Sequence, residues 1–389
     1  MNYRECAEQI IKEQYESGLR FYKTEKMKEY FLQKRKKYKY FCIFGGGVLG
    51  TTLCNWLRKH GIRTDFFCDN NPDKIGTMIS EVPFIDFSRL CAIKEETFIM
   101  VSATNKGAGR RYNDEINRQL NEFPHKMPNV LKFIAFYTND YHLSYEECLN
   151  GAGRIMDALA DEQSKSLFLE LLKLKFIDSP EPVLDNPLER FYEPVQYFNT
   201  AYYKHADNAV IADCGAYNGD SLRQFIQLFQ DDFKGYHCFE MDRDAYLELE
   251  RCRAKMAPEL QNKIALYPFG VFSEKGTAYY NASTDTLGSS ISINGKKEVQ
   301  LAVLDEILEN EEVTMIKMDI EDSELPALVG AGKLIQKNHP ILAVSIYHST
   351  QQFFKVPLYI LDNFPFYRLY MGLHTTVTDD TVLYAVPIQ

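Results

Sequence analysis

Two glycine loops, each lying between a short apolar run and an amphipathic segment, constrain the fold of this chain most. The first is GGGVLG, residues 45–50, after the run YFCIF, and the second is DCGAYNGD, residues 213–220, after NAVIA. An apolar run, a glycine loop and a helix in this order begin a β–α unit, and strands that alternate with helices form a parallel sheet. Further apolar runs alternate with helical periodicity after both loops. The sequence therefore predicts an α/β chain that holds two such domains in tandem.

The predicted domain boundaries lie where the periodicity changes along the 389 residues. Residues 1–38 have helical periodicity, and residues 39–143 hold the first strand–loop–helix unit and the strands after it. Residues 144–206 are mainly helical and are interrupted by the three prolines of SPEPVLDNP, so we interpret them as a helical connector. Residues 207–389 hold the second unit and end in FYRLYMGLH and TVLYAVP, which predict a terminal pair of antiparallel strands.

Charge and hydropathy exclude several classes of protein. The chain has 54 Asp and Glu against 44 Lys and Arg, a net charge of −10, which disfavours binding to nucleic acid or to anionic lipid. No run of about 18 apolar residues predicts a membrane span, and charges throughout residues 1–20 argue against a signal peptide. The nine cysteines are never spaced C-x-x-C and mostly lie in apolar runs, which indicates free thiols in a reducing compartment. We therefore expect a cytoplasmic protein with no nucleic-acid partner.

The first loop has the spacing of a dinucleotide fingerprint, with Gly45, Gly47 and Gly50 as G-x-G-x-x-G. Asp69 ends the next apolar run, nineteen residues after Gly50, where a carboxylate can accept ribose hydroxyls. The loop predicts a second site, for a nucleotide or a nucleotide-sugar, and the alternative is a Rossmann-like scaffold whose glycines serve only the turn. Because no dehydrogenase-type catalytic domain follows, the pattern disfavours a nicotinamide-dependent oxidoreductase.

The second loop differs because it carries an acid at each end. Asp213, at the end of a strand, would repel a pyrophosphate but suits the ammonium group of an amino acid. Glu240 ends the next strand, twenty-one residues after Gly219, where its carboxylate can accept both ribose hydroxyls. Acid, glycine loop and acid together predict a site for a nucleoside that bears an amino acid, S-adenosylmethionine. The residues that we assign to this cofactor are Asp213, Gly215, Ala216, Tyr217, Gly219, Asp220, Glu240 and Met241.

Residues 192–389 resemble the FkbM-type methyltransferases through several motifs in one order. The matching stretches are QYF (196–198), VIADCGAYNGDS, HCFEMD, LDEIL, IKMDIEDSELPALVGA, SIYH and TVLYA. The resemblance implies a class I methyltransferase fold and an S-adenosylmethionine-dependent O-methyltransferase that acts on hydroxyls of sugars or secondary metabolites. The longest run is similar to the pattern I-K-x-D-x-E-G-x-E-x-x-x-L-x-G-A, with Asp322 in place of the usual glycine. Asp enters the left-handed region less readily than Gly, so this departure leaves the local backbone conformation open.

The N-terminal half looks like Rossmann-like domains fused to this family, which are also similar to nucleotide-sugar-binding domains of bacterial glycan enzymes. This similarity implies a role in bacterial surface-glycan biosynthesis, such as that of capsule or lipopolysaccharide. We expect a small-molecule or glycan substrate, and the chain could form a homo-oligomer. The alternatives are a nicotinamide-dependent oxidoreductase or a nucleotide-sugar-binding module that uses the first glycine loop, and a binding module without catalysis.

Three residues are candidates for assisting the acceptor hydroxyl, which is a poor nucleophile without a base or a metal. Asp319 and Glu321 follow the strand TMIKM, and His348 ends PILAVSIYH, so all three should lie near the cofactor at the carboxyl ends of strands. His348 is the predicted general base and would titrate near its ordinary pKa of about 6.5. The alternative is a divalent cation on Asp319 and Glu321, for which no third ligand is evident. STDTLGSSISING, residues 283–295, predicts either a substrate lid or a plain surface loop.

Overall fold

The structure is a computed structural model, and it describes residues 2–16, 19–102, 116, 118–127, 143–176, 187–199, 201–281, 290–291, 297–375 and 380–388. The chain forms two compact units. We call residues 1–8, 141–171 and 188–389 the C-terminal unit, and residues 9–140 and 172–187 the N-terminal unit. The division runs through the predicted connector, since most of residues 144–206 belongs to the C-terminal unit.

The N-terminal half contains a parallel sheet with helices between its strands. Its helices are α1 (Tyr3–Glu16), α2 (Leu19–Lys37), α3 (Val48–Lys59) and α4 (Phe87–Ala92). Its strands are β1 (Tyr40–Phe44), β2 (Phe66–Cys68), β3 (Met78–Ile79), β4 (Val82–Ile85), β5 (Thr97–Val101) and β6 (Lys126–Met127). They form one sheet in the order β3-β4-β2-β1-β5-β6, and every pair is parallel except β3 with β4.

The first glycine loop lies where the sequence predicts it, between β1 and α3. Strand β1 is buried because its aromatic and aliphatic side chains pack on both faces of the sheet. Helix α3 ends at Lys59 with His60 as its C-cap, and Gly61 follows with φ of +74°, the left-handed conformation that commonly ends a helix. The helix predicted over residues 108–123 lies mostly outside the described residues.

The C-terminal unit begins with two helices that precede its sheet, α5 (Tyr145–Ala158) and α6 (Glu162–Phe176), the second of which runs into the N-terminal unit. Helix α5 starts at a capping box, in which the Ser144 hydroxyl accepts the amide of Glu147 and the Glu147 carboxylate accepts the amide of Ser144. These two bonds satisfy amides that a helix start leaves without partners.

The main sheet of the C-terminal unit has seven strands in the order β16-β17-β15-β14-β7-β8-β9. They are β7 (Val210–Cys214), β8 (Gly235–Phe239), β9 (Ile264–Tyr267), β14 (Met315–Met318), β15 (Ile341–Ser345), β16 (Tyr367–Leu373) and β17 (Thr381–Pro387). Strands β7, β8, β9, β14 and β15 are parallel, whereas β17 pairs antiparallel with both β15 and β16. The predicted terminal antiparallel pair is therefore confirmed, as is the α/β fold class.

A second, four-stranded sheet in this unit was not predicted as a separate layer. Its strands are β10 (Gly270–Val271), β11 (Gly276–Asn281), β12 (Ser290–Ile291) and β13 (Lys297–Ala302), in the order β10-β13-β11-β12. The predicted lid over residues 283–295 falls between β11 and β13, and only Ser290 and Ile291 of it are described. Its role as a lid or a surface loop thus lies outside the described residues.

The remaining helices of the C-terminal unit lie between its strands. They are α7 (Asp220–Phe229), α8 (Arg243–Ala254), α9 (Pro258–Gln261), α10 (Leu304–Ile307), α11 (Glu324–Gly330), α12 (Gly332–Asn338) and α13 (Thr350–Asn363). The sequence predicts one helix over this region. The structure has two, α11 and α12, because Ala331 between them leaves the helical conformation, with φ of −108° and ψ of 8°. Pro326 lies in the first turn of α11, as predicted.

Candidate active site

Four neighbouring parallel strands bring the predicted site residues to one edge of the main sheet. Adjacent positions pair across β15, β14, β7 and β8, so the carboxyl ends of these strands lie level with one another. Glu240 follows β8, Asp319 follows β14, and His348 lies three residues after β15. The second glycine loop follows β7 at the same edge. A ligand of an open α/β sheet binds at this edge.

The glycine loop packs directly against the strand end that carries Asp319. Gly215 has φ of +79°, and a Cβ there would overlap the backbone carbonyl oxygen of Asp319. The amides of Gly215 and Ala216 both donate to the carbonyl of Phe239, over 2.9 and 3.0 Å. Gly219 caps the N-terminus of α7, and Asp220 lies in the first turn of that helix. The loop therefore requires glycine at position 215 on two grounds, conformation and space.

Glu240 fixes the loop from the neighbouring strand. One carboxylate oxygen accepts the backbone amide of Tyr217 over 2.8 Å, and the other accepts that of Asp242 over 2.7 Å. The side chain is buried, which raises its pKa, although these two amides oppose the rise. Each carboxylate oxygen can accept a further hydrogen bond. Met241, the last residue predicted to contact the cofactor, follows directly and is half-buried.

Asp213 lies deeper than the sequence suggests. It is fully buried, with Lys317 Nζ 3.0 Å from one carboxylate oxygen and the Tyr236 hydroxyl donating to the other over 3.0 Å. Burial raises the pKa of Asp213, and Lys317 and Tyr236 oppose that rise. Lys317 also donates to the carbonyl of Gly215 over 2.6 Å. Asp213 thus contacts the glycine loop through Lys317, a residue to which the sequence assigned no role in the site.

Asp319 is the centre of a hydrogen-bond network at the end of β14. The hydroxyl groups of Tyr197 and Tyr347 donate to its two carboxylate oxygens, over 2.8 and 3.1 Å. Nε2 of His348 lies 3.2 Å from the same oxygen that Tyr347 contacts. Burial raises the pKa of Asp319, but the close contact with His348 and the charges of His348 and Lys317 outweigh it, so the pKa is well below its usual range. Asp319 is therefore ionised at neutral pH.

His348 lies among three carboxylates rather than at an ordinary strand end. Glu324 Oε1 is 3.2 Å from its Nδ1, and Glu321 Oε2 is 3.6 Å from its Nε2. Burial lowers the pKa of His348, but the nearby charges of Glu324 and Asp319 outweigh it and hold the pKa well above 6.5. The expectation that His348 titrates near its ordinary value is therefore wrong, because the sequence does not reveal these neighbours. These carboxylates therefore favour the protonated imidazole.

The turn between β14 and α11 contains Asp322, whose backbone conformation the sequence alone does not determine. Glu321 and Asp322 have φ of +53° and +76°, so Asp322 takes the left-handed conformation that glycine takes readily. The Asp322 carboxylate accepts the Ser349 hydroxyl over 2.6 Å, and its carbonyl accepts the Gln352 side-chain amide over 2.8 Å. These contacts from the start of α13 hold a backbone conformation that costs an L-residue about 1–2 kcal/mol.

The first glycine loop has the same connection to its neighbouring strand as the second. The amide of Gly45 donates to the carbonyl of Cys68 over 2.8 Å, and the amide of Gly46 donates to the Asp69 carboxylate over 2.7 Å. Gly50 permits close packing of α3 on β1, since a Cβ there would overlap the carbonyl oxygen of Gly45. Unlike Glu240, Asp69 also forms an ion pair, in which Lys74 Nζ lies 2.8 Å from Oδ2 of Asp69.

The two glycine loops differ in the hydrogen-bonding groups that they leave for a ligand. Burial raises the pKa of Asp69, but the hydrogen bonds from Lys74 and from the amides of Gly46 and Asn71 outweigh it and lower the pKa. No described atom lies within 4 Å of the position that a Cβ at Gly47 would take, so the backbone there is open. Gly45, Gly47, Gly50 and Asp69 are thus brought together as predicted, with Lys74 already paired to the acid.

No helix in the part of the chain that the structure describes is long and apolar enough to cross a membrane.

Comparison with known proteins finds a family match within the C-terminal unit. Residues 213–375 match the family described as "Methyltransferase FkbM domain". No curated protein sequence matches the chain significantly. The chain is similar to a crystal structure of Methyltransferase FkbM from Methylobacillus flagellatus KT, with 21% identity, a TM-score of 0.68 and coverage of 92% of each chain. At this identity the likeness shows the fold.

Two further solved structures overlap only part of the chain. An rRNA methylase from Streptococcus thermophilus has 14% identity and a TM-score of 0.29, over 47% of this chain and 89% of its own. A candidate methyltransferase from Streptococcus mutans, in complex with SAH, has 11% identity and a TM-score of 0.29, over 47% and 90%. Neither overlap is close enough to carry weight. Residues 213–375 therefore match the FkbM methyltransferase domain model, and the chain shares the fold of the Methylobacillus flagellatus protein.

Proposed function

We propose that the C-terminal unit is an S-adenosylmethionine-dependent O-methyltransferase that acts on a sugar hydroxyl in bacterial surface-glycan or secondary-metabolite biosynthesis. The observation that carries this proposal is the buried Glu240 carboxylate, which ties the glycine loop through Tyr217 at the sheet edge where Asp319 and His348 meet. A loop held in place before the ligand arrives lowers the entropy cost of binding. Two sequence resemblances support the sugar acceptor and the glycan pathway. The C-terminal half resembles FkbM-type methyltransferases, and the N-terminal half looks like domains that are similar to nucleotide-sugar-binding domains of bacterial glycan enzymes.

The cofactor would lie across the ends of β7 and β8. Glu240 would accept the two ribose hydroxyls with the lone pairs that its bonds to Tyr217 and Asp242 leave. The backbone of residues 215–219 and the first turn of α7, with Ala216, Tyr217 and Asp220, would hold the methionine part. Met241, which follows Glu240, would contact the adenosine. Asp213 acts through Lys317, which holds the carbonyl of Gly215.

The chemistry is an in-line displacement in which the methyl carbon leaves the sulfonium sulfur and bonds to the acceptor oxygen. S-adenosylhomocysteine departs, and the hydroxyl proton passes to the protein or to water. The positioning of the two reactants supplies most of the rate enhancement. Asp319, Glu321 and His348 form the catalytic group on the acceptor side, where a carboxylate can accept the hydroxyl proton as the methyl carbon bonds to the oxygen. The reaction uses soluble small molecules, which fits a cytoplasmic enzyme.

A second candidate function belongs to the N-terminal unit, the binding of a nucleotide or a nucleotide-sugar. The open backbone at Gly47 and the hydrogen bond between Gly46 and Asp69 favour it, since a phosphate could approach the loop and a ribose the acid. Lys74 would have to leave Asp69 or contact a phosphate itself. Calorimetric titration with a uridine diphosphate sugar and with NAD tests this function, and no heat with either ligand would exclude it.

Thermal denaturation with single ligands tests the main proposal. A ligand at 100 times its dissociation constant stabilises the folded state by about 2.7 kcal/mol. S-adenosylmethionine and S-adenosylhomocysteine should therefore raise the melting temperature, whereas NADH should leave the transition of the C-terminal unit unchanged. Stabilisation of that unit by NADH alone would favour the oxidoreductase alternative instead.

A further inference from the structure

The side chains on the acceptor side contain a group with the composition of a metal site. Asp319, Glu324 and His348 each offer one ligand atom, and these atoms all lie within 4.8 Å of one another. They come from three separate positions, the end of β14, the first residue of α11 and the segment after β15. The sequence shows no third ligand beside Asp319 and Glu321, whereas the structure brings Asp319 together with Glu324 and His348.

The charges in this group do not balance. Asp319, Glu321 and Glu324 contribute three carboxylates, and a protonated His348 cancels one of them. The charge of Lys317 also acts on Asp319, but Lys317 lies 3.0 Å from Asp213, which offsets that charge. Glu324 is fully buried, so water does not screen its charge. Excess negative charge in a buried position is costly unless a cation accompanies it.

Buried polar atoms of the group also lack partners. Glu324 Oε2 and both ring nitrogens of His348 are inaccessible to solvent and make no hydrogen bond of acceptable geometry among the described residues. The carboxylates lie 3.2 Å from each ring nitrogen, but not in the direction that a hydrogen bond needs. These groups lie close together without hydrogen-bonding one another, as the ligands of one metal ion do.

We propose that Asp319, Glu324 and His348 bind one divalent cation, of which Mn²⁺ is the best-matched representative. Two carboxylates and one imidazole combine the oxygen ligands that Mg²⁺ and Mn²⁺ prefer with a nitrogen ligand that transition metals accept. The hydrogen bonds from Tyr197 and Tyr347 orient Asp319, as supporting residues do around metal ligands. The inference rests on the proposed function for its role, in which the cation lowers the pKa of the acceptor hydroxyl.

Titration of Mn²⁺ into the full chain, followed by electron paramagnetic resonance of the free ion, tests the site without any substrate. We expect one bound ion per chain. His348→Ala and Glu324→Gln should each weaken binding at least tenfold, and Gln at 324 can still accept the amide of Ile320 that Glu324 holds over 2.9 Å. His60→Ala in the N-terminal half and Glu309→Gln on the surface are the matched controls and should bind as the unaltered chain does.

Calorimetry with S-adenosylmethionine on the same samples separates this inference from the proposed function. Cofactor binding without Mn²⁺ binding would overturn the cation site alone, and the cationic sulfonium would then be the group that balances the acids. Mn²⁺ binding that persists in both His348→Ala and Glu324→Gln would overturn the assignment to these residues. Mn²⁺ binding without cofactor binding would leave the cation site standing and contradict the methyltransferase function.

Discussion

The Glu240 carboxylate accepts the backbone amide of Tyr217 over 2.8 Å, and so joins the end of β8 to the glycine loop after β7. The N-terminal unit repeats this relationship with Asp69 and Gly46, over 2.7 Å. In both units an acid at the end of one strand fixes the loop at the end of its neighbour. The two acids differ in the capacity that remains for binding a ligand. Asp69 is already paired with Lys74, whereas Glu240 accepts hydrogen bonds from two backbone amides.

Gly215→Ala should destabilise the C-terminal unit and weaken S-adenosylmethionine binding at least tenfold. The φ of +79° costs alanine about 1–2 kcal/mol, and its methyl group would overlap the Asp319 carbonyl. A loss of about 2 kcal/mol lowers the melting temperature by roughly 4–8 °C in a unit of this size. Gly276→Ala is the control, since no described atom lies within 4 Å of its Cβ position. Equal melting temperatures for the two variants would refute the packing argument.

Acid should destabilise the C-terminal unit partly through His374. Burial lowers the pKa of this residue to about 4, although the hydrogen bond that Nδ1 donates to the carbonyl of Glu193 opposes the decrease. In the neutral ring, Nε2 accepts the Tyr384 hydroxyl. The unfolded chain, with a pKa of about 6.5, binds more protons between these values. Stability is therefore unaffected above pH 6.5 and falls as the pH drops from 6.5 towards 4, by up to about 3 kcal/mol.

Calorimetric unfolding at pH 7 and pH 4.5 tests this dependence with His374→Gln. Glutamine cannot take up a proton, so the variant should lose less stability between the two pH values than the unaltered chain does. An identical loss in both proteins would show that other groups, such as the carboxylates around Asp319, account for the whole effect.

The N-terminal unit should not transfer hydride. Its glycine loop has a nucleotide-like geometry, but Asp69 is paired with Lys74, and no nicotinamide-type catalytic domain is evident in the sequence. Incubation with NADH or NADPH and candidate sugars should leave the nicotinamide absorbance constant. Sustained oxidation that requires a sugar would contradict this prediction and favour the oxidoreductase alternative.

The parts of the site that follow from strand order could be predicted from the sequence. Glu240, Asp319 and His348 each come directly after an apolar run, and parallel strands bring such positions to one edge. The glycine loops could be placed for the same reason. The predicted contact of Asp213 with a cofactor ammonium stays a prediction, since the structure pairs Asp213 with Lys317.

Contacts between distant parts of the chain could not be predicted. Tyr197 reaches Asp319 from 122 residues away, and Glu324 approaches His348 because the turn at residues 321–322 is left-handed. The raised pKa of His348 depends on these neighbours and not on its own position. Likewise, the sequence does not reveal that Gly330 packs so closely on Phe272 that a Cβ there would overlap the carbonyl of Phe272.

Calorimetric titration of S-adenosylmethionine into the full chain and into Glu240→Ala tests the central claim most directly. We predict one site per chain in the unaltered protein and at least tenfold weaker binding in the variant, because a lost charge-assisted ribose contact costs about 1.5–3 kcal/mol. Glu250→Ala, an exposed glutamate of α8, should bind as the unaltered chain does. Absence of binding to the unaltered chain, or equal affinity in Glu240→Ala, would contradict the account.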